Sequence, residues 1–323
     1  MEIRRYLIQT NKIKKVNGVK KLCILLLCVC LAGYQVPAYA IGTQGKHISS
    51  GYGFAVAVQA DGTVKAVGDN TYGQCNTADW KDVVAVSAGF EHTLGLKSDG
   101  TVYATGSNEL GQCNVEEWKD IVMIAGSYLF SYGLTRDGRV LCTHNKPSWE
   151  KIKMDKWKDI VWMDSPNFYI VSAIDKYGTP YTVSADLSRI RDAVQVYESA
   201  EEFVYILRSD GTVAYMNLEE EDPALQELDR EPWSDIVALD CNSQKLIGVK
   251  RDGTVVGYLS FDGWDDIVEF DSGFGVRSDG SIMMKADLVE DFFTLDQLAE
   301  ISTWKVMVDP KTIPTPAAKT AAP

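Results

Sequence analysis

Histidine is nearly absent: the chain has His47, His92 and His144 in 323 residues. No pair of them joins a Cys or carboxylate cluster at ligand spacing, so a zinc site has no candidate and no metal or cofactor is expected. Calcium loops of the EF-hand kind are missing too, because the acidic turns carry one Asp each. No apolar run approaches the roughly 20 residues a membrane-spanning helix requires; the run from Leu22 to Gly33 has twelve. Positive charge is short, with 32 Lys and Arg against 45 Asp and Glu. The first 40 residues hold seven of those bases and one acid, which leaves 25 against 44, net −19, in the rest. So acidic a body repels a phosphate backbone, and nucleic acid is excluded as a partner.

What the amino end does have is an address. Arg4, Arg5, Lys12, Lys14, Lys15, Lys20 and Lys21 precede the apolar run, which leads to Ala38-Tyr39-Ala40. Basic segment, short apolar segment and small-x-small site are the layout of a secretory signal peptide over residues 1–40. The alternative is an uncleaved amino-terminal anchor. Cys23, Cys28 and Cys30 lack the small pair that precedes a lipidated cysteine. The body is expected to be secreted or at the cell surface, with no stable membrane insertion after processing. Residues 309–323, rich in Pro, Thr, Ala and Lys, are expected to be a disordered tail.

Between these ends one unit is written seven times. A turn recurs at Asp61-Gly62-Thr63, Asp99-Gly100-Thr101, Asp137-Gly138-Arg139, Tyr177-Gly178-Thr179, Asp210-Gly211-Thr212, Asp252-Gly253-Thr254 and Asp279-Gly280-Ser281, spaced 38, 38, 40, 33, 42 and 27 apart. A second marker keeps step: Trp80-Lys81-Asp82, Trp118-Lys119-Asp120, Trp157-Lys158-Asp159, Trp233-Ser234-Asp235 and Trp264-Asp265-Asp266, each followed by Val-Val or Ile-Val. It is worn at Ile190-Arg191-Asp192 and shortened at Trp304-Lys305-Val306. Two markers in register over seven copies mean a repeat architecture. Asp-Gly predicts a hairpin with a type I′ turn, and the period-2 flanks predict three or four short strands per copy with no helical stretch.

One such sheet cannot bury both faces, whereas seven arranged radially can, and they also protect their edges. The amino end starts in mid-unit at Ile48-Ser49-Ser50-Gly51, matching Val86-Ser87-Ala88-Gly89, and the carboxyl end stops after a Trp marker. Residues 41–308 are therefore expected to form an all-β, seven-bladed β-propeller whose terminal strands close one shared blade. Ala88-Gly89-Phe90-Glu91-His92-Thr93-Leu94-Gly95-Leu96, the Asp-Gly-Thr-Val turn and Gly106-Ser107-Asn108 with Gly111-Gln112 resemble the regulator-of-chromosome-condensation repeat. That resemblance, strong in the first two copies and weaker after residue 142, implies the same seven-bladed fold.

Few residues are left over to carry chemistry. His92 shares a column with Phe54, Phe130, Ile170 and Phe203 and reads as a packed structural histidine. Cys75, Cys113, Cys142 and Cys241 fall in small apolar columns, and equivalent positions on neighbouring blades lie too far apart for a disulfide. The Asp-Gly and Trp-x-Asp acids recur blade after blade, which marks structural duty, and Glu219-Glu220-Glu221-Asp222-Pro223 reads as a solvated loop. No pair of unlike carboxylates stands out as a glycosidase would need. The recurring Trp reads as inter-blade packing; Trp149 and Trp162 lie outside that register.

One loop column remains. Tyr52, Phe90, Tyr128 and Phe168 follow the small turn in four consecutive copies. On one face of a ring they would make a contiguous aromatic patch of the kind that anchors protein interfaces, with Glu91, Glu201 and Glu202 as its acidic rim; the other reading folds each ring back onto its neighbouring blade. The expected function is non-catalytic: an exported monomeric propeller, not an enzyme, binding a protein partner through one loop face. A cell-wall glycan is the alternative ligand, because aromatics also stack on sugars. The family resemblance implies two further precedents, secreted bacterial propellers that inhibit β-lactamases through aromatic loop residues, and guanine-nucleotide exchange. The second is not carried over, because the chain has no inserted wedge between blades.

Overall fold

The computed structural model describes residues 45–143, 154–165, 171–182, 184–199, 203–220, 225–228, 233–242 and 245–308. The segments read as a signal peptide and as a tail lie outside the described residues, as do His144, Trp149, Phe168, Ile170, Glu201, Glu202, Glu221, Asp222 and Pro223.

Seven antiparallel sheets follow one another along the chain. They are β1 (Ile48–Ser50), β2 (Phe54–Val58) and β3 (Val64–Gly68); β4 (Val83–Ala88), β5 (His92–Lys97) and β6 (Val102–Gly106); β7 (Ile121–Gly126), β8 (Ser131–Thr135) and β9 (Val140–Cys142); and β10 (Ile160–Asp164), β11 (Ser172–Asp175) and β12 (Pro180–Tyr181). The fifth has four strands, β13 (Ala193–Glu198), β14 (Phe203–Arg208), β15 (Val213–Asn217) and β16 (Gln226–Glu227). The last two are β17 (Ile236–Asn242), β18 (Lys245–Lys250) and β19 (Val255–Gly257), then β20 (Ile267–Asp271), β21 (Phe274–Arg277) and β22 (Ile282–Met284). Each sheet packs on the next, and β20 of the seventh contacts β1 of the first. The fold is the all-β arrangement of seven repeated sheets that the two markers predict. Every residue of β2 and of β8 is buried, because a middle strand is covered on both faces by neighbouring sheets.

The two markers hold each other. The residue three after each Trp donates its amide to the carbonyl of the turn glycine in the preceding sheet: Val83 to Gly62, Ile121 to Gly100, Ile160 to Gly138, Ile236 to Gly211 and Ile267 to Gly253, at 3.0–3.1 Å. Ala193 donates to Gly178 in the worn copy, and Val306 donates to Gly280 at 2.9 Å. The marker aspartates Asp82, Asp120, Asp159, Asp235 and Asp266 stand at φ of 56–59°. Asp tolerates that left-handed conformation because its short side chain bonds locally. Their carbonyls accept from the turns of their own sheets, as in Ser98 N–H to Asp82 at 2.9 Å. Four of the Trp residues then pack on a glycine of the following middle strand. A Cβ on Gly95 would stand 2.6 Å from the Trp80 ring, and Gly133, Gly248 and Gly275 face Trp118, Trp233 and Trp264 in the same way. Trp80 thus sits between the valines of the first and second sheets, as inter-blade packing requires.

Two expectations need correcting. The Asp-Gly turns are not type I′: positive φ falls on the glycine, as at Gly62 (78°) and Gly253 (83°), and not on the Asp before it. Gly62 N–H donates to Gln59 and Gln59 N–H to Thr63, a type I turn closed by a left-handed glycine. The Asp61 carboxylate is thereby freed to accept from the Thr63 amide and hydroxyl at 3.0 and 2.6 Å, an arrangement repeated at Asp99, Asp210 and Asp252. These hydrogen bonds hold the Asp61, Asp99 and Asp252 carboxyls below the usual carboxylate range. The chain is also not free of helix. After β22 come α1 (Ala286–Val289) and α2 (Leu295–Ile301), the second opened by a capping box between Thr294 and Gln297. Their Val289 and Ile301 are buried with Ile48, Phe274 and Trp304 between the seventh sheet and the first.

The first and last segments of the described repeats meet in one sheet. Val306 bridges Gln59 at the end of β2, Met307 N–H donates to Val58 at 2.8 Å, and β1 pairs with the same strand from Ile48↔Ala57 to Ser50↔Ala55. The carboxyl-terminal segment therefore supplies the start of the innermost strand that β1 continues. Among the described residues no helix is long and apolar enough to cross a membrane.

Candidate functional site

The antiparallel order puts the loops after β1, β4 and β7 at one edge of the sheets and the Asp-Gly turns at the other. Tyr52, Phe90 and Tyr128 stand at the tips of those three loops, whose backbones are joined by Tyr52 N–H to Phe90 and Phe90 N–H to Ser127, both at 3.2 Å. Tyr52 stacks on Phe90 with ring centroids 4.5 Å apart, and Phe90 lies on Tyr128 at 4.2 Å. Both readings of this column meet here: each ring leans on its neighbour, and the leaning makes one continuous arc. Phe292, which follows α1, extends it by an edge contact of 6.1 Å to Tyr52. Tyr52 and Phe292 are 56% and 51% exposed, whereas Phe90, Tyr128 and Glu91 are half-buried. Exposed Tyr72 and Leu110 belong to the loops after β3 and β6, at the same edge.

The arc borders a cavity of about 260 Å³ lined also by Ser50, Ser127, Ser165, Ser272, Phe274 and Leu288. Three of those serines lead to acids, Asp240 and Asp271 buried and Asp164 half-buried. Ser50 N–H donates to Asp271 at 3.0 Å, Ser165 N–H to Asp164 at 2.7 Å and Ser272 N–H to Asp240 at 3.1 Å. The acids occupy one position of the innermost strand, seven residues after the marker Trp, where the other copies place Ser49, Ser87, Ala125 and Tyr197. Side chains here accept the next sheet's amide repeatedly: Ser49 from Ala88, Ser87 from Gly126, Asp240 from Ser272 and Asp271 from Ser50.

Lys46 reaches into this cluster from the segment before β1. Its ammonium lies 2.8 Å from Asp271, 3.4 Å from Asp240 and 3.5 Å from Asp164, while its backbone bridges Val86 of the second sheet. One residue thus ties together the fourth, sixth and seventh sheets through its side chain and the second through its backbone. Burial works against the charge on Lys46, and Asp164, Asp271 and Asp240 outweigh it, holding its pKa well above the ordinary value. Burial pushes Asp240 up to about 6 against the pull of Lys46, with Asp271 adding to the rise. Nearby, Glu269 accepts from the His47 and Ile48 amides and from the His47 ring at 2.8 Å. Among the described residues no group of three or more His, Cys, Asp or Glu is arranged to hold a metal ion.

The other singled-out residues have structural surroundings. His92 is fully buried with Nε2 at 2.9 Å from Ser131 Oγ, and burial lowers its pKa to about 4. Trp162 is buried edge-on against Tyr197 with centroids 5.6 Å apart. The Cys75 and Cys113 thiols each lie 3.3 Å from a backbone carbonyl of their own loops. The Gly-x-Asn loops are self-bonded through Asn70 to Asn76 and Asn108 to Asn114 at 3.0 Å. Sequence reasoning missed Phe292 and the Lys46 cluster. Phe292 has no counterpart in the repeat, but three acids in one inward column were a visible signal.

Two segments of the first copies match a known repeat in sequence. Residues 46–74 and 83–112 match the family model of the Regulator of chromosome condensation (RCC1) repeat. These two segments are RCC1 repeats. Solved structures similar to it include the CRINKLY WD40 ectodomain of the Arabidopsis thaliana receptor kinase ACR4, at 14% identity over 73% of this chain and 92% of that one, TM-score 0.54. Human WBSCR16 is 15% identical over 66% of this chain and 76% of that one, TM-score 0.50. Prp20p from Saccharomyces cerevisiae, a structure described with its binding to Gsp1p and histones, is 15% identical over 65% and 70%, TM-score 0.47. At such identities the likeness is one of fold. No curated protein matches the chain. The RCC1 resemblance and the seven-sheet propeller fold expected from the sequence both stand.

Proposed function

We propose that this chain is an exported, non-catalytic propeller that docks a protein partner on the face carrying Tyr52, Phe90, Tyr128 and Phe292. The observation that carries the reading is the continuous aromatic arc beside a cavity, with two of its rings more than half exposed. Large, rigid aromatics clustered around a pocket are the usual anchors of protein interfaces. Export rests on the basic and apolar amino end. The non-catalytic reading rests on the acids, whose bonds are internal to turns and to the Lys46 cluster. A glycan is the weaker reading, because Tyr52, Phe90 and Tyr128 cover one another's faces where a sugar platform would present them open. The test is capture from culture supernatant with the intact protein and with the Tyr52→Ala/Phe90→Ala variant, beside a glycan array. Capture of a protein that the variant loses is expected; glycan binding, or capture indifferent to both substitutions, overturns the reading.

A further inference from the structure

We propose that the partner docked on the aromatic arc presents a basic protein surface from which one uncharged, apolar side chain enters the cavity. This inference rests on the docking reading and adds the chemistry of what docks. Charge is sorted between the two edges of the sheets. At the turn edge the acids have cations: Lys97 lies 3.0 Å from Asp99, Arg139 2.8 Å from Asp137, Lys176 3.1 Å from Asp159 and Arg277 3.1 Å from Asp265. The arc edge differs. Its described loops near the arc, residues 51–53, 69–76, 89–91, 107–114, 127–130, 272–273 and 285–294, hold six acids, Asp69, Glu91, Glu109, Asp287, Glu290 and Asp291, against the single cation Lys285. That lysine is half-buried, 3.3 Å from Asp287 and over the Phe261 ring. Among the described residues Glu91, Glu109, Glu290 and Asp291 have no ion-pair partner.

Unpaired acids gathered on one edge repel one another, and a cationic surface laid against them relieves the repulsion and is steered there from a distance. A second copy of this chain would set the same rim against itself, which favours a partner of opposite charge. The acids also stand beside exposed apolar residues: Glu109 precedes Leu110, and Glu290 and Asp291 precede Phe292. The cavity itself asks for a neutral occupant. Phe274, Leu288, Val289 and Phe293 wall it, and among the described residues no charged side chain lines it. The amides of Ser50, Ser165 and Ser272 are already spent on Asp271, Asp164 and Asp240. A charge entering here would lose its water without gaining a partner. An apolar side chain gains by leaving water for such a wall.

The experiment titrates the intact protein with three peptides: acetyl-Lys-Arg-Phe-Lys-Arg-amide, its acidic counterpart acetyl-Glu-Asp-Phe-Glu-Asp-amide, and acetyl-Lys-Arg-Ser-Lys-Arg-amide. Binding is followed by amide chemical shifts. The basic Phe peptide is expected to bind about tenfold or more tightly than the acidic one, to shift Tyr52, Phe90 and Phe292, and to weaken severalfold as salt rises to about 0.15 M. Serine in place of phenylalanine should cost about tenfold. Glu290→Lys with Asp291→Lys should weaken the basic peptide severalfold, whereas Glu116→Lys with Glu117→Lys, the same charge change beside the Trp118 marker, should not. The peptide comparison on the unaltered protein stands independently should a variant misfold. No binding of the basic Phe peptide, equal binding of the two Phe peptides, shifts centred on the turn edge, or equal losses from the two double variants overturns the proposal. If the acidic peptide takes the arc instead while protein capture still needs Tyr52 and Phe90, the docking face stands and the basic partner falls. If the basic peptide shifts the arc while capture ignores both aromatics, the docking reading falls and the cation-binding face remains.

Discussion

The carbonyl of Gly280 accepts the amide of Val306 at 2.9 Å, and Val306 in turn bridges Gln59 of the first sheet. The bond is the seventh instance of the clasp that joins every turn glycine to the strand after the next marker, here spanning the last sheet and the first. Val306→Pro removes that donor and leaves the Gly280 carbonyl unpaired, so stability should fall by about 1–3 kcal/mol. Urea unfolding measures it, and an unchanged midpoint would show that the two ends are not held in this way.

Turn glycines should divide by what surrounds them. Gly253 has φ of 83° and a Cβ there would stand 2.8 Å from the Asp266 amide, whereas Gly263, at 77°, has nothing within 4 Å. Left-handed backbone costs an ordinary residue about 1–2 kcal/mol. Gly263→Ala should cost about that much and Gly253→Ala about 2 kcal/mol more, because backbone cannot yield as a side chain does. Equal losses in thermal unfolding would refute the clasp's tightness.

Two buried groups oppose each other across mildly acidic pH. Burial holds His92 down at about 4 against an ordinary 6.5, so the unfolded chain takes the proton first and acidification from 6.5 to 4 costs stability. Burial raises Asp240 from 3.8 to about 6, so the folded chain takes the proton first and acidification between those values adds stability. Each shift spans roughly two pH units, about 3 kcal/mol at about 1.4 per unit, so the two largely cancel. His92→Phe should therefore gain about 2–3 kcal/mol between pH 7 and 4.5 relative to the intact protein's profile, and Asp240→Asn should lose a similar amount. Urea midpoints at the two pH values decide it; parallel profiles for all three proteins would contradict the assignment.

The thiols should be sluggish. Burial pushes Cys75 and Cys113 up to about 11 and Cys241 up to about 12. The thiolate is the reactive form, so at pH 8 alkylation by iodoacetamide, followed by intact mass, should be slower in the folded protein than in urea by about a hundredfold or more. Comparable rates would show that these sulfurs are not enclosed.

The Asp-Gly and Trp markers made the seven sheets and their order legible, because each marker residue makes the same clasp in every copy. The turn type was misread because Asp-Gly fits two hairpin geometries, and only the bonds from Thr63 to Asp61 separate them. The helices after β22 were missed where the repeat lapses, although Thr294 and Gln297 stand at capping-box spacing. The aromatic column was readable from Tyr52, Phe90 and Tyr128. Phe292 reaches the arc through a segment unique to the last copy; the three acids share a column of the repeat, but their pairing with Lys46, 118 to 225 residues away in the chain, is encoded by no local pattern.

The most direct test of the docking face is site-specific photocrosslinking. A benzophenone side chain is placed at Tyr52 in one protein and at Tyr177, 60% exposed on an Asp-Gly-type turn at the opposite edge, in another. Irradiation in culture supernatant should yield a discrete crosslinked protein from position 52 and none from position 177. A crosslink confined to position 177 would place recognition on the other edge and contradict the proposed function.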